Sequence, residues 1–352
     1  MTPEIEFEAG LLERWQPVGP FVMLADPAAH TPEMQARWLS RWQGRCVAWL
    51  PQMNAQSSVQ AASDLAPSVW AHLRRAPHCA LWALGGGTTL DLGKVLRWSM
   101  ADTSPAPAHW RQNTLPDGAQ RHALWCTPTT AGTGSEVSPW ATLWDLDMAP
   151  ARKRSWNPPE GTADLALLDP ELSRSCPWRV SRDSALDALS HALESLWNRR
   201  ADHTSRGQAR QAARRILHEL PELRERPHDL NLRTRMAHAS LLAGLAMAST
   251  QTALAHALSY ELTLQEGVSH GEACAIWLPM VMELAAERSP RVRADLEVVF
   301  EMPVSQALPW FGHWLADLGV QVRDLRAQPA GSAHLAQALA SERGSNFIEV
   351  GA

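Results

Sequence analysis

The sequence predicts a two-part protein, an α/β domain over residues 1–175 followed by an all-helical domain over residues 176–352. The first half alternates short apolar runs with longer helix-compatible stretches, a rhythm that favours a parallel sheet covered by helices. The second half carries successive amphipathic or buried helical patterns with no alternating strand among them. Between the two, in LLDPELSRSCPW, Pro170 and Pro177 bracket the change of pattern and place the boundary near residue 175.

The apolar runs are, in order, FVMLAD (21–26), RCVAWLPQM (45–53), CALWALGGG (79–87) and ALWCTPTT (123–130). Asp26 ends the first. A carboxylate at that strand end can accept hydrogen bonds from an adenosine ribose and repel a 2′-phosphate, and capping a loop or helix is an equally good use for it. The third run opens into GGGTTLDLGK. Its glycines let backbone N–H groups approach a phosphate, and the helix start that follows favours an anion, although such a turn needs no ligand. The fourth opens into TPTTAGTGSEVSP (127–139), where Thr129, Thr130, Thr133 and Ser135 offer hydroxyls among small residues. Two such loops suit a dinucleotide at the carboxyl edge of a parallel sheet.

In the second half, SRDSALDALSHALESLW, SRGQARQAARRILHEL, LRTRMAHASLLAGLAMAST and GEACAIWLPMVMELAAE each predict a helix. Asp187 and His191 are four apart in the first and project from one face, which suits two metal ligands, although an internal hydrogen bond or a surface pair is the commoner use of one such pair. His256 lies in an apolar stretch, and His270 precedes Gly271 at a predicted helix start. A lone histidine in such a place is more often a satisfied core residue. One aspartate and three histidines together form a coherent donor set for Fe²⁺ or Zn²⁺. Tyr260, the one tyrosine beside 17 tryptophans, falls four residues after His256 on the same face of a helix predicted over 252–264. Its phenol either faces the donor set or sits in the core with the hydroxyl tied to a backbone carbonyl.

The net charge of −5 and a pI near 6.3 leave no electrostatic footprint for nucleic acid, and the RQAARR segment reads as a solvated helix face. No apolar run reaches the roughly 18 residues of a membrane span. The opening MTPEIEFEAGLLERW lacks the basic and apolar regions of a secretory signal, so a cytoplasmic location is expected. Cys46, Cys79, Cys126, Cys176 and Cys274 are scattered and never in CxxC spacing, which argues for buried thiols rather than a disulfide framework or thiolate zinc site. The tryptophans read as core or interface filling.

Four segments in order resemble the iron-dependent (group III) alcohol dehydrogenases. GGGTTLDLGK is similar to that family's GGGSxxDxxK loop, TPTTAGTGSEVSPWAT to its TPTTaGTGSEvT loop, and DALSHALE and VSHGEACAIWLP to its DAlsHaiE and HGxAxAixLP segments. The resemblance implies a Rossmann-like N-terminal domain and an all-α C-terminal domain, the dehydroquinate synthase-like fold, with a metal in the cleft between them. By motif position the metal ligands are Asp187, His191, His256 and His270. The cofactor contacts are Gly86, Gly87, Thr88, Asp91, Thr129, Thr130 and Thr133, with Asp26 at the ribose and Lys153 as a further candidate. NAD(H) is expected in preference to NADP(H).

A finer resemblance, in SPWATLWD, DALSHALESLWN and TALAHALSYELT, is to the branch that contains phosphonoacetaldehyde reductases. Most of the wider family has a histidine where this chain, like that branch, has Tyr260; the branch favours arginine where this chain has Gln251. The implied activity is that of a metal-dependent NAD(P)-linked alcohol dehydrogenase or aldehyde reductase acting on a small aldehyde or alcohol, phosphonoacetaldehyde foremost. A small neutral aldehyde such as lactaldehyde or butanal is the alternative substrate, and a non-catalytic dinucleotide-binding scaffold the alternative role. TTAGTGSE and DALSHALE favour the dehydrogenase over a lyase of the same fold. Neither nucleic acid nor membrane is expected as a partner, and a homodimer is compatible with the reading.

Overall fold

Apolar runs bounded by glycine, proline and threonine become parallel strands in the computed structural model, which describes residues 2–76, 78–104, 106–149, 151–327 and 331–349. The chain divides into two units, Met1–Thr130 with Ser135–Cys176, and Ala131–Gly134 with Pro177–Ala352. Thr133 thus groups with the later unit, apart from the other residues of its loop that the cofactor reading uses.

The first unit runs β1 (Glu4–Phe7), β2 (Phe21–Ala25), α1 (Pro32–Arg41), β3 (Cys46–Pro51), α2 (Val59–Arg75), β4 (Ala80–Gly85), α3 (Gly87–Leu96), β5 (Trp98–Ser99), α4 (Ala106–Gln112), β6 (Gln120–Arg121), β7 (Leu124–Pro128), β8 (Ala141–Asp145), β9 (Arg152–Trp156) and β10 (Leu165–Leu168). One sheet has the order β1-β10-β7-β4-β2-β3, every pair parallel. Strands β2 and β4 are buried along their whole length, which is why they read as unbroken apolar runs. From β2 the chain steps to β3 on one side and then crosses to β4 on the other, so the switch point of the sheet lies between β2 and β4. Ligands of open α/β sheets bind outside the carboxyl ends at that point. Indoles fill one face of the sheet: Phe21 and Trp82 lie 5.0 Å apart by ring centroids and Trp42 and Trp82 4.8 Å apart, with Trp38 and Trp125 in the same cluster.

The second unit runs α5 (Trp178–Leu196), α6 (His203–Glu225), α7 (Leu230–Thr250), α8 (Leu254–Gln265), α9 (His270–Ala275), α10 (Leu278–Arg288), α11 (Pro290–Phe300), α12 (Val304–Asp317) and α13 (Gly331–Ala340). Residues 185–196 of α5 are buried on every side, so its polar members Asp187, Ser190, His191, Glu194 and Ser195 lie inside the unit. Such groups persist in a core only when paired or bound.

Three expectations are corrected. GEACAIWLPMVMELAAE forms two helices rather than one, because Pro279 in the first turn of α10 has no N–H with which to continue the ladder of α9. The RQAARR face (210–215) is not simply solvated. Arg210 bonds to the buried Asp295 of α11 at 3.1 Å, beside Arg206 one turn earlier in α6 at 2.6 Å, Arg214 pairs with Glu301, and Arg215 meets His238 at 3.1 Å. A carboxylate buried as deeply as Asp295 needs those cations. Of the cysteines, Cys79, Cys126 and Cys274 are buried, whereas Cys46 and Cys176 are partly exposed. Among the described residues no single helix is long and apolar enough to cross a membrane.

Candidate metal centre and nucleotide-binding loops

At the switch point of the first unit, Asp26 follows β2 and the glycine loop follows β4. Asp26 Oδ1 caps the short turn Pro27–Ala29 by accepting from Ala28 N–H at 2.9 Å. Of the two uses anticipated for this carboxylate, the capping one is seen here. Gly86 is the N-cap of α3 and has no side chain to supply. Thr89 and Leu90 N–H already bond to Gly86 O, so Gly87 and Thr88 carry the N–H groups that a helix start leaves for a ligand or water. Thr129 N–H bonds to Gly85 O at 3.0 Å, and Thr130 lies beside Gly86, so both loops meet at one strand end.

Asp91 bonds to the second loop, and Lys153 packs on an indole. The Asp91 carboxylate accepts from Ser135 Oγ at 2.6 Å and from Thr142 N–H at 2.8 Å, which braces α3 against the second loop and β8. Burial pushes its pKa up, against the pull of Lys94 and these donors. Lys153, on β9, lies over the Trp144 ring at 5.6 Å.

In the second unit three imidazoles converge on one carboxylate oxygen. Asp187 Oδ1 lies 3.6 Å from His191 Nε2, 3.5 Å from His256 Nε2 and 3.9 Å from His270 Nε2. Asp187 and His191 come from α5, His256 from α8, and His270 is the first residue of α9. Gly271 makes the approach of α9 possible, since a Cβ there would lie 1.9 Å from Asp183 O on α5. Gly134 serves the same unit: at φ +61° it packs so closely on α7 that a Cβ would meet Gly244 Cα at 2.5 Å.

The donor set fits a divalent ion. Asp187 Oδ1 and His256 Nε2 are buried and make no hydrogen bond among the described residues. Nitrogen and oxygen donors about 2.0–2.2 Å from a tetrahedral ion stand about 3.3–3.6 Å from one another. The distances from Asp187 Oδ1 to His191 and His256 Nε2, 3.6 and 3.5 Å, match this, while the donor atoms gathered within 4.8 Å of one another are those of Asp187, His256, His270 and Cys274. Burial would raise the Asp187 carboxyl, but the facing imidazoles, His191 first, hold it well below the usual carboxylate range.

Two participants escaped the sequence reading. Glu194, fully buried on α5, lies 2.7 Å from His256 Nδ1 and accepts from the N–H groups of Ala253, Ala255 and His256 at 2.7, 2.5 and 3.3 Å. It therefore caps α8 from a neighbouring helix and holds the His256 proton on Nδ1, which turns Nε2 toward Asp187 as an acceptor. Cys274 is the other: its Sγ and the donor atoms of Asp187, His256 and His270 all lie within 4.8 Å of one another. Its position four residues after His270, on the same helical face, was the available signal. Tyr260 lies one turn beyond His256 on α8; burial pushes its phenol up, against the opposing pull of Arg343 and His256.

A parallel sheet with glycine and threonine loops at its switch point, joined in one chain to a helical unit that gathers an aspartate and three histidines, defines a metal-centred class of nucleotide-type α/β protein. The chain belongs to the iron-containing alcohol dehydrogenase family: residues 58–170 match the family's iron-containing alcohol dehydrogenase model, and residues 181–307 match its C-terminal model. It is 34% identical over 202 residues to the phosphonoacetaldehyde reductase of Streptomyces viridochromogenes, a match covering 56% of this chain and 50% of that protein. With long-chain-alcohol dehydrogenase 1 of Geobacillus thermodenitrificans it shares 35% identity over 60% of this chain and 53% of the relative. The matches thus span about half the length of these relatives. The fold is that of sulfoacetaldehyde reductase from Bifidobacterium kashiwanohense in complex with NAD⁺, with a TM-score of 0.83 at 22% identity over 99% of this chain and 93% of that one.

Proposed function

We propose that the protein is a metal-dependent, NAD(H)-linked alcohol dehydrogenase working as an aldehyde reductase, with phosphonoacetaldehyde, reduced to 2-hydroxyethylphosphonate, as its substrate. The observation that carries this is the convergence of three Nε2 atoms on Asp187 Oδ1. When bound, a divalent ion supplies Lewis acidity to a carbonyl oxygen and the dinucleotide supplies the hydride equivalent. Asp187, His191, His256 and His270 would hold the ion. Glu194 fixes the tautomer and orientation of His256. The start of α3, with Gly86, Gly87 and Thr88, and the neighbouring Thr129 and Thr130 would bind the pyrophosphate, with Asp26 at the ribose. Tyr260 would orient the substrate oxygen or its anionic group by a hydrogen bond. Asp91, Thr133 and Lys153 belong to this reading as cofactor contacts on the resemblance alone, and the hydrogen bonds that Asp91 accepts from Ser135 and Thr142 brace the loop beside them.

NADH oxidation by the iron-loaded protein tests the reading across phosphonoacetaldehyde, lactaldehyde and butanal. Turnover highest on phosphonoacetaldehyde supports it. Higher kcat/KM on a neutral aldehyde moves the substrate while keeping the reductase. Metal-loaded protein that turns over none of them returns the chain to a binding scaffold.

A further inference from the structure

Arg343 lies against the face of α8 that carries His256. Its guanidinium carbon stands 5.6 Å from the centre of the Tyr260 ring, and its Nη1 donates to Thr252 Oγ1 just before the helix begins. It therefore spans from the chain ahead of His256 to the residue one turn beyond it. The arginine is half-buried. Its backbone is fixed by the segment that follows: Asn346 Nδ2 donates to Thr252 O at 2.9 Å and to Gln251 Oε1 at 3.4 Å, and Ile348 N–H bonds to Trp197 O at 3.0 Å. Arg288 lies over the Phe347 ring at 5.0 Å and donates to Ile348 O at 3.2 Å. This path of chain holds the guanidinium over Tyr260, one turn of α8 from His256.

The position has a chemical use. Arginine stays charged at any pH the protein meets, and its planar fork suits the oxygens of phosphonate, sulfonate and carboxylate groups. One turn of α8 separates His256 from Tyr260, a rise of about 5–6 Å, which is the reach of a two-carbon aldehyde from its carbonyl oxygen to a terminal oxyanion. Gln251, the side chain that a sequence comparison offers for this task, is neutral and engaged by Asn346.

We propose that Arg343, with Tyr260 and Thr252, forms the subsite for a terminal oxyanion, so that the preferred substrates are short aldehydes bearing a phosphonate or sulfonate. The proposal rests on the reductase reading above. Arg343 is a specificity residue in it: it meets the group that distinguishes the substrate and leaves the carbonyl to the metal donors.

The test compares the metal-loaded wild type with Arg343→Gln, which retains a donor for Thr252 while removing the charge, and Arg343→Lys, which retains the charge without the fork. For each, kcat/KM is measured on phosphonoacetaldehyde, sulfoacetaldehyde and propanal. Binding of 2-hydroxyethylphosphonate and of 2-hydroxyethanesulfonate is followed by titration calorimetry, which needs no turnover. Metal content and thermal midpoint serve as controls. The ratio of oxyanionic to neutral kcat/KM is expected to fall tenfold or more in Arg343→Gln, mostly through KM, with partial recovery in Arg343→Lys; a larger effect on the phosphonate pair would identify the dianion as the natural ligand. An unchanged ratio and unchanged binding in folded, metal-replete Arg343→Gln would overturn the proposal and leave the arginine as a brace between α8 and the segment after α13. A wild type that reduces propanal at least as well as the oxyanionic aldehydes overturns the substrate class and leaves the reductase intact. A wild type that reduces no aldehyde removes the reductase reading, and the calorimetry then decides: Arg343-dependent phosphonate binding keeps the subsite, and its absence removes that too.

Discussion

Glu194 and His256, on different helices and 62 residues apart in sequence, meet at 2.7 Å in the interior of the helical unit. The same carboxylate closes three backbone N–H groups at the start of α8, where the helix dipole also favours a negative charge. One side chain thereby orients a metal donor and ends a helix.

Glu194→Gln should loosen the metal without unfolding the protein. The amide brings an NH₂ group into a site where every neighbour donates, so at least one buried donor loses its partner, at about 1–3 kcal/mol of stability. Lost orientation of a metal histidine typically lowers metal affinity by about 10–100-fold. Chelator competition gives the dissociation constant and thermal melting of the metal-free protein gives the structural part. If the melting point drops while affinity holds, Glu194 is only a helix cap.

The ion should need His270 more than Cys274. All three Nε2 atoms face Asp187 Oδ1, whereas the thiol is defined only by its place within the cluster. Elemental analysis should find His270→Ala depleted of metal and Cys274→Ser close to stoichiometric. A His270→Ala protein that kept its full complement would remove that histidine from the set.

Asp26 should set the cofactor preference. NADH is expected to outperform NADPH, because the carboxylate places like charge against a 2′-phosphate, and Asp26→Gly should narrow the ratio of kcat/KM by about tenfold, or 1.4 kcal/mol. Equal efficiency with both cofactors in the wild type, unaltered in the variant, would leave Asp26 with its turn-capping bond to Ala28 alone.

Three thiols should be inert near neutrality. Burial pushes Cys126 up to about 12 and Cys46 and Cys79 up to about 11, so at pH 8 their reactive anions amount to about one part in a thousand or fewer. Iodoacetamide labelling read by mass spectrometry should spare them in the folded protein and reach them in urea. The linkage has a definite sign. The folded thiols keep their protons where the unfolded chain gives them up, so their contribution is complete below about pH 8.5 and is lost as pH climbs toward 11–12. Rapid labelling of Cys126 in the native protein at pH 8 would contradict this.

Much of the site was legible because local rules place it. Asp187 and His191 share a helical face by spacing alone, and the two loops announce themselves through glycine and threonine after apolar strands. Glu194 was equally placed by spacing, three residues after His191, but an isolated glutamate in a helix reads as a solvent-facing residue until tertiary packing delivers the start of α8 to it. The arginines of α6 failed for the converse reason: nothing local shows that Asp295 of α11 is buried against them. Strands β1 and β10 are four residues each, too short to establish a period. Arg343 lies beyond the segments that the resemblance covered, and only the fold returns it to α8.

Tyr260 offers the sharpest single-atom test. It stands one turn beyond His256, under the Arg343 guanidinium, and burial raises its phenol above the ordinary value against the pull of Arg343 and His256. At neutral pH it is therefore a hydrogen-bond donor rather than a base, suited to holding a substrate oxygen or an oxyanion and poorly suited to relaying protons. Tyr260→Phe removes that donor and keeps the ring beneath Arg343. Metal content and melting temperature should hold, and kcat/KM on the best substrate should fall by about 1–3 kcal/mol of transition-state stabilisation, the scale of a lost hydrogen bond to a charged group. If the bond is made to the substrate oxygen as charge develops, kcat carries the loss; if it is made to a terminal oxyanion in both ground and transition states, KM carries it. A Phe variant with wild-type kinetics from about pH 6 to 9 would make Tyr260 a packing residue whose ring supports the guanidinium and whose hydroxyl has no part in the reaction.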